Sequence, residues 1–107
     1  MALVTLEEAK EYLRVSTSDE DAMIGSLNAT AAILTKQVGR VSDEMWTAVI
    51  ADPDPEDTDE VVETRSVCKG ANLYALAYLF EHREEADHHD LVITMRNMLF
   101  AVREGVI

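Results

Sequence analysis

The sequence predicts an all-α fold: a small bundle of four or five helices with a long central helix and an acidic loop. Of its 107 residues only 4 are glycine and 2 are proline, and aromatic residues make up 6%. This composition favours helices over a sandwich of short strands, which needs frequent turns and many aromatic or β-branched residues. Apolar residues also recur at helical spacing behind capping residues. The length suffices for one hydrophobic core, so residues 1–107 are predicted to form a single domain.

The first helix is predicted from the segment "TLEEAKEYL". Thr5 as N-cap and Glu8 three residues later form a capping box, in which each side chain accepts a hydrogen bond from the other residue's backbone N–H. Acidic residues in the first turn also complement the positive end of the helix dipole. The helix is expected to end near Arg14, before the polar run "STSDED".

The second helix is predicted over about 19–37. Ser18 and Asp21 form a second capping box, and Gly39 supplies the stop. Gly25 begins a strip of small residues that continues through Ala29 and Ala32. We expect another helix to approach closely along this strip.

A shorter third helix and an acidic loop follow. Ser42 is predicted as the N-cap, and the apolar face of the helix consists of Met45, Trp46, Val49 and Ile50. The helix should end at 52–60, "DPDPEDTDE", because two prolines there break any regular element.

The fourth helix is predicted to be the long central one. It begins at Thr58 or Asp59 and is expected to run to Glu84. Over residues 73–80, "LYALAYLF", it is apolar nearly all round, as a central helix is. Gly70 and Ala71 make it slim near its middle, where it is expected to cross the strip at Gly25.

A last helix is predicted from apolar residues at positions i, i+4, i+7, i+8 and i+11, with Gly105 as its stop. These residues are Leu91, Met95, Met98, Leu99 and Val102.

Charge and cysteine content limit the function. The chain has 21 acidic and 9 basic residues, a formal net charge of -12, and its bases are scattered. Tight DNA binding depends on clustered Lys and Arg, so it is not expected. One cysteine excludes an intrachain disulfide and a multi-cysteine zinc site. No signal peptide or apolar run long enough for a bilayer is visible, so we expect an intracellular protein without a membrane partner.

All three histidines lie in "EHREEADHHD", residues 81–90. His82 and Glu85 have the i, i+3 spacing of metal ligands on a helix, so a metal or acid–base site is one interpretation. The other is a corner between two helices, and it explains more residues. Asp87 as N-cap and Asp90 three residues later resemble a capping box, and adjacent His88 and His89 point about 100° apart on a helix. We therefore predict a corner, with no cofactor and no catalytic residue.

Two further candidate sites are weighed against simpler interpretations. Asp52, Asp54, Glu56 and Glu63 fall at positions 1, 3, 5 and 12 of a calcium-binding loop. However, the sixth position requires glycine and is Asp57, so a solvated acidic loop is the better interpretation. Cys68 lies on an apolar helix face without a basic neighbour, which predicts a buried small hydrophobic residue rather than a nucleophile.

Three segments, in this order and spacing, resemble the head–tail connector (adaptor) proteins of long-tailed bacteriophages. The opening "MALVTLEEAKEYLRVSTSDEDAMIGSLNATAAIL" is similar to the family's start. "GANLYALAYLFEHREEA" is similar to its central helix, and "MRNMLFAVREGVI" resembles its C-terminal segment. The resemblance covers nearly the whole chain except 41–60, where this sequence has its own acidic insertion.

The resemblance implies a structural virion protein, made in the host cytoplasm of a phage or prophage, and not an enzyme. Members of the family form a ring of about a dozen copies below the portal protein. They extend the channel through which DNA is packaged and ejected, and they join the head to stopper or tail-completion proteins. DNA then passes without sequence-specific binding, and an acidic wall suits such a channel because it does not hold phosphates.

The resemblance also implies a docking segment, because the family's C-terminal segments bind the portal. In this sequence it corresponds to residues 98–107, with five predicted contact residues: Leu99, Phe100, Arg103, Val106 and Ile107. Arg103 matches the family's terminal arginine and is expected to pair with an acidic group.

Two other functions remain open. One is a small acidic helical regulator or DNA mimic, which would bind a basic partner through its negative surface. The other is a metal enzyme that uses the histidines between residues 82 and 89. Mass measurement distinguishes a ring from a monomer, and metal analysis tests the enzyme.

Overall fold

The structure is a computed structural model that describes residues 2–85 and 87–102. Five α-helices and a short 3-10 turn follow one another: α1 (Leu6–Leu13), α2 (Asp21–Val38), α3 (Asp43–Ile50), α4 (Asp59–Glu81), α5 (His89–Leu99) and the turn Phe100–Val102. No strand occurs within these residues. The predicted all-α fold with a long central helix and an acidic loop is therefore confirmed.

Two of the three predicted side-chain N-caps at the starts of α1 to α3 are confirmed. The Thr5 hydroxyl accepts from the Glu8 backbone N–H, and the Glu8 side chain accepts from the Thr5 N–H, both at 3.1 Å. Ser42 caps α3 by accepting from the Met45 N–H, and Thr58 caps α4 in the same way. These caps satisfy backbone donors that the first helical turn leaves without an intrahelical acceptor.

The predicted capping box at Ser18 is wrong. Helix α2 begins at Asp21 with Glu20 at the N-cap position, and no side chain caps it. Asp21 instead forms an ion pair with Lys10 of α1, with 2.7 Å between Nζ and Oδ1. The Asp21 carboxylate, which the local pattern assigned to a capping box, is therefore bound to a lysine of the preceding helix.

The central helix α4 packs most extensively against α2 and also contacts α1, α3 and α5. Its buried positions run along almost its whole length, from Thr64 to Leu79. It ends at Glu81, three residues before the predicted end, with His82 as its C-cap. The fully buried apolar core around it includes Ile24, Leu76, Leu91, Met95 and Leu99. None of the described helices is long and apolar enough to cross a membrane.

The predicted close crossing at Gly25 and Gly70 is wrong. A Cβ atom built on either glycine would have no neighbour within 4 Å, and both residues are exposed. Ala71, which was predicted together with Gly70, is fully buried, as are Ala31 in α2 and Ala75 in α4. Gly25 and Gly70 therefore lie on the solvent-exposed sides of α2 and α4.

Gly39 is the C-cap of α2, as predicted, but it does not have the left-handed backbone that favours glycine. Its φ is -75°, and the left-handed residue is Arg40, with φ of 51°. The space at Gly39 explains the glycine better, because a Cβ there would lie 2.9 Å from the Thr35 carbonyl oxygen and 3.6 Å from Leu99.

We expect Gly25→Ala and Gly70→Ala each to raise the free energy of unfolding by about 0.5–1 kcal/mol, because alanine loses less backbone entropy than glycine in an exposed helix. Gly39→Ala is the matched control and should lower the free energy, since its Cβ has no room. Urea denaturation of the three variants measures all three values. A loss of stability in Gly25→Ala would mean that another element does approach α2 there.

Candidate interaction surfaces

The histidines form the corner between α4 and α5. The His82 Nδ1 lies 2.9 Å from the Tyr78 carbonyl oxygen, to which it donates, and the two rings stack with centroids 4.1 Å apart. His88 meets Tyr78 edge to face at 5.9 Å, whereas His89 is exposed. The described residues contain no group of three or more His, Cys, Asp or Glu side chains arranged to hold a metal ion. Two of the histidines thus contact one tyrosine ring.

The capping at this corner differs in detail from the prediction. Helix α5 begins at His89, with His88 at the N-cap position and no side-chain bond from it. Asp87 still satisfies one helical donor, because its Oδ1 accepts from the His89 backbone N–H at 2.9 Å. The predicted N-cap at Asp87 is therefore wrong by one residue, although Asp87 still accepts from a helical N–H, and Asp90 lies in the first turn of α5.

The acidic loop binds its own backbone and one arginine. The Asp54 N–H donates to Asp57 Oδ2 at 3.0 Å, and the Glu56 N–H donates to Asp54 Oδ1 at 2.8 Å. Arg65 of α4 forms an ion pair with Asp57 at 3.0 Å. The Asp54 N–H, and to a lesser extent Arg65, hold the pKa of the Asp57 carboxyl below its ordinary value.

Arg65 also fixes the end of α3, a role that the sequence did not suggest. Its guanidinium donates to the carbonyl oxygens of Ala48 at 2.9 Å and Val49 at 3.1 Å. Carbonyl groups at the C-terminal end of a helix have no intrahelical donor. Arg65 therefore caps the C-terminal end of α3 and binds the acidic loop through Asp57.

Cys68 is fully buried in α4, as predicted. Burial raises the pKa of its thiol to about 11. The thiolate is the nucleophilic form, so the residue is unreactive at neutral pH.

We expect a maleimide at pH 7 to leave Cys68 unmodified in the folded protein and to modify it fully in denaturing urea. Mass spectrometry of timed samples measures both. Rapid labelling under native conditions would contradict the buried position.

The predicted docking residues have different positions. Leu99 is fully buried in the core, so its side chain is not available to a partner. Phe100 is the most exposed large hydrophobic residue described, at 60%. Arg103, Val106 and Ile107 lie outside the described residues.

Phe100 belongs to a group of exposed apolar side chains on the outer side of α5, which we call the α5 face. Val92 and Ile93 in the helix are also exposed, at 36% and 44%. With 100° per residue, Val92, Ile93 and Phe100 fall within one arc of about 100°, beside the buried arc of Leu91, Met95 and Leu99. Exposed Arg96 lies in the middle of the same arc, so the face is apolar with one cation among its side chains. Val92 and Ile93 were not among the contact residues predicted from the sequence, although their helical spacing to Phe100 was visible there.

A second surface, the tyrosine groove, lies between α1 and the C-terminal half of α4. It is a cavity of about 420 Å³ lined by Tyr12, Tyr74, Ala77, Tyr78, Glu81 and His82. A third hollow, of about 340 Å³, lies between α2, α3 and the N-terminal segment and includes Ile33 and Trp46 in its lining.

Comparison of the chain with protein-family models, with curated proteins and with solved structures gave no match.

Proposed function

We propose that this protein is a structural subunit that works by docking: a phage or prophage head–tail connector that assembles as a ring below the portal protein. In this role it extends the DNA channel of the virion and joins the head to stopper or tail proteins. It performs no chemistry of its own. The α5 face is the observation in the structure that most favours this role.

Large apolar side chains that cluster on an exposed surface are a common sign of a protein–protein interface, also where a charged residue such as Arg96 stands among them. On the α5 face, Val92, Ile93 and Phe100 are exposed beside a helix side that is already buried. Aromatic residues such as Phe100 are enriched in interfaces because they bury a large area. A partner covering this face would remove all three side chains from water.

The α5 face leads directly into the C-terminal segment that the connector resemblance assigns to portal docking. We therefore propose that Phe100 begins the contact and that Val92 and Ile93 extend it, while Leu99 supports it from the core. Arg103, Val106 and Ile107 remain proposed contacts, with Arg103 pairing to a carboxylate of the portal.

The charge of the chain also supports a channel subunit. The net charge of -12 repels phosphates, so DNA would slide past rather than bind. Four of the basic residues form ion pairs with carboxylates of the same chain: Lys10, Lys36, Arg65 and Lys69. These four are thereby partly neutralised as sites for DNA phosphates.

The test is decoration of the portal from the same source, observed by negative-stain electron microscopy. We expect the wild-type chain to add a ring to the portal, and the double variant Ile93→Glu/Phe100→Glu to add none. Both residues are exposed, so the variant should keep its helicity and melting temperature. Ile33→Glu is the matched control, because Ile33 is also exposed, at 58%, but lies on α2.

Normal decoration by the double variant would mean that the α5 face is not the docking surface. Absence of any ring with the wild-type chain would overturn the connector proposal itself. In that case, displacement of DNA from a basic DNA-binding protein would favour the acidic regulator or DNA mimic.

A further inference from the structure

The tyrosine groove brings together all three tyrosines of the sequence. Tyr12 comes from α1, whereas Tyr74 and Tyr78 lie one turn apart on α4. Tyr12 and Tyr74 are exposed, at 50% and 38%, although both are large aromatic residues. Tyrosine is enriched among the residues that dominate binding energy at interfaces, so their collection in one concave site points to a ligand.

One wall of the groove is held in place before any ligand arrives. The Tyr78 ring stacks on His82 at an interplanar angle of 17°, and His88 contacts it edge to face. The hydrogen bond from His82 Nδ1 to the Tyr78 carbonyl fixes the imidazole in turn. A ligand therefore meets an aromatic surface whose side-chain entropy is already reduced, which lowers the cost of binding.

Carboxylates lie in the groove and beside it. Glu81 lies in its lining, and Glu8 and Glu11 line the adjacent hollow beside Tyr12, together with Arg14. Desolvation raises the pKa of Tyr78, and the negative charges of Glu85 and Asp90 raise it further.

Cations near the groove are few. None of the residues described in its lining is a lysine or arginine. Lys10 pairs with Asp21 at 2.7 Å, and Lys69 pairs with Glu8. Glu81 is a carboxylate of the lining that takes part in none of the ion pairs described, and a free carboxylate beside aromatic faces is an environment that attracts an organic cation.

We propose that the tyrosine groove binds an arginine side chain presented by a basic polypeptide segment of a partner protein. The planar guanidinium stacks on tyrosine faces and donates to a carboxylate at the same time, which lysine does less well. Glu81 is the carboxylate placed to accept these hydrogen bonds. A second copy of this acidic chain fits less well, because it would bring carboxylates to a surface that already repels them.

A glycine-spaced peptide with four arginines tests the proposal, with a peptide of identical length carrying neutral citrulline as its control. Titration at physiological salt is followed by NMR of the tyrosine rings and by calorimetry. We expect the arginine peptide alone to shift the Tyr12, Tyr74 and Tyr78 signals. Glu81→Gln and Tyr12→Leu/Tyr74→Leu should each weaken binding about fivefold or more.

Glu63→Gln is the matched control, since Glu63 is an exposed carboxylate near the other end of α4. Three results would overturn the proposal: equal binding of the citrulline peptide, an equal loss in Glu63→Gln, or no change at the tyrosines. Self-association that Tyr12→Leu/Tyr74→Leu abolishes would overturn it too, by showing that a second copy occupies the groove. Portal decoration through the α5 face is measured separately, so either proposal can fail while the other stands.

Discussion

Asn72→Asp should lower the free energy of unfolding by about 3–5 kcal/mol, the cost of an uncompensated buried charge. Asn72 is fully buried in α4, and its Nδ2 donates to Asn28 Oδ1 at 2.9 Å. Asn28 Nδ2 in turn donates to the Val4 carbonyl oxygen at 2.7 Å. Aspartate has the same shape but places an oxygen against Asn28 Oδ1. Turning the Asn28 amide would only move the conflict to Val4.

Urea denaturation at several pH values checks this prediction. The folded pKa of the new carboxyl should be raised, because burial favours its neutral form. The deficit relative to wild type should therefore be present above that pKa and should shrink as the pH falls through it. Asn97→Asp, at an exposed position of α5, is the control and should change little. A small, pH-independent deficit in Asn72→Asp would mean that the site is hydrated.

Arg65→Met is the second substitution from which we expect a large loss, about 2–3 kcal/mol for hydrogen bonds made by a charged group. It removes the donors to Ala48 and Val49 and the ion pair with Asp57, while methionine retains much of the apolar stem. The Arg65 side chain is only 15% exposed, so water replaces these bonds poorly. The C-terminal end of α3 and the acidic loop should unfold locally before the rest of the domain unfolds.

Hydrogen exchange followed by mass spectrometry measures this local effect, and urea denaturation measures the global one. The protection of backbone amides from exchange should fall over residues 43–57 before it falls in α5. Arg96→Met, on the exposed side of α5, is the control. Uniform loss of protection, or none, would contradict the specific role assigned to Arg65.

The sequence predicted the elements that depend on local interactions. Thr5 and Ser42 were recognisable as caps because a cap and the donor it satisfies lie within three residues. Ser18 failed because α2 begins at Asp21, so that Ser18 lies before the N-cap position, and the Asp21 carboxylate pairs with Lys10 of α1. The prediction that another helix approaches the small-residue strip at Gly25 also failed. A sequence pattern locates small residues, but the packing of the whole fold decides which side of the helix is buried.

The candidate surfaces were less predictable. Phe100 was expected at an interface and is exposed, whereas its neighbour Leu99 turned inward because it continues the buried arc of Leu91 and Met95. The tyrosine groove joins Tyr12 to two residues of α4 that are more than sixty positions away. The spacing of Tyr74, Tyr78 and His82 on one side of a helix was visible in the sequence, but the contribution of α1 required the fold.

The hydrogen-bonded chain from Asn72 through Asn28 to Val4 has a consequence for synthesis on the ribosome. Helices α1 and α2 emerge first, yet α2 finds its most extensive contact only in α4. Until α4 has left the exit tunnel, the Asn28 amide lacks its donor from Asn72, and Leu3 and Val4 lack part of the core that buries them. Contacts this distant in sequence form late because loop closure precedes them. The nascent segment that contains α1 and α2 should therefore remain open and accessible to chaperones until α4 has left the tunnel.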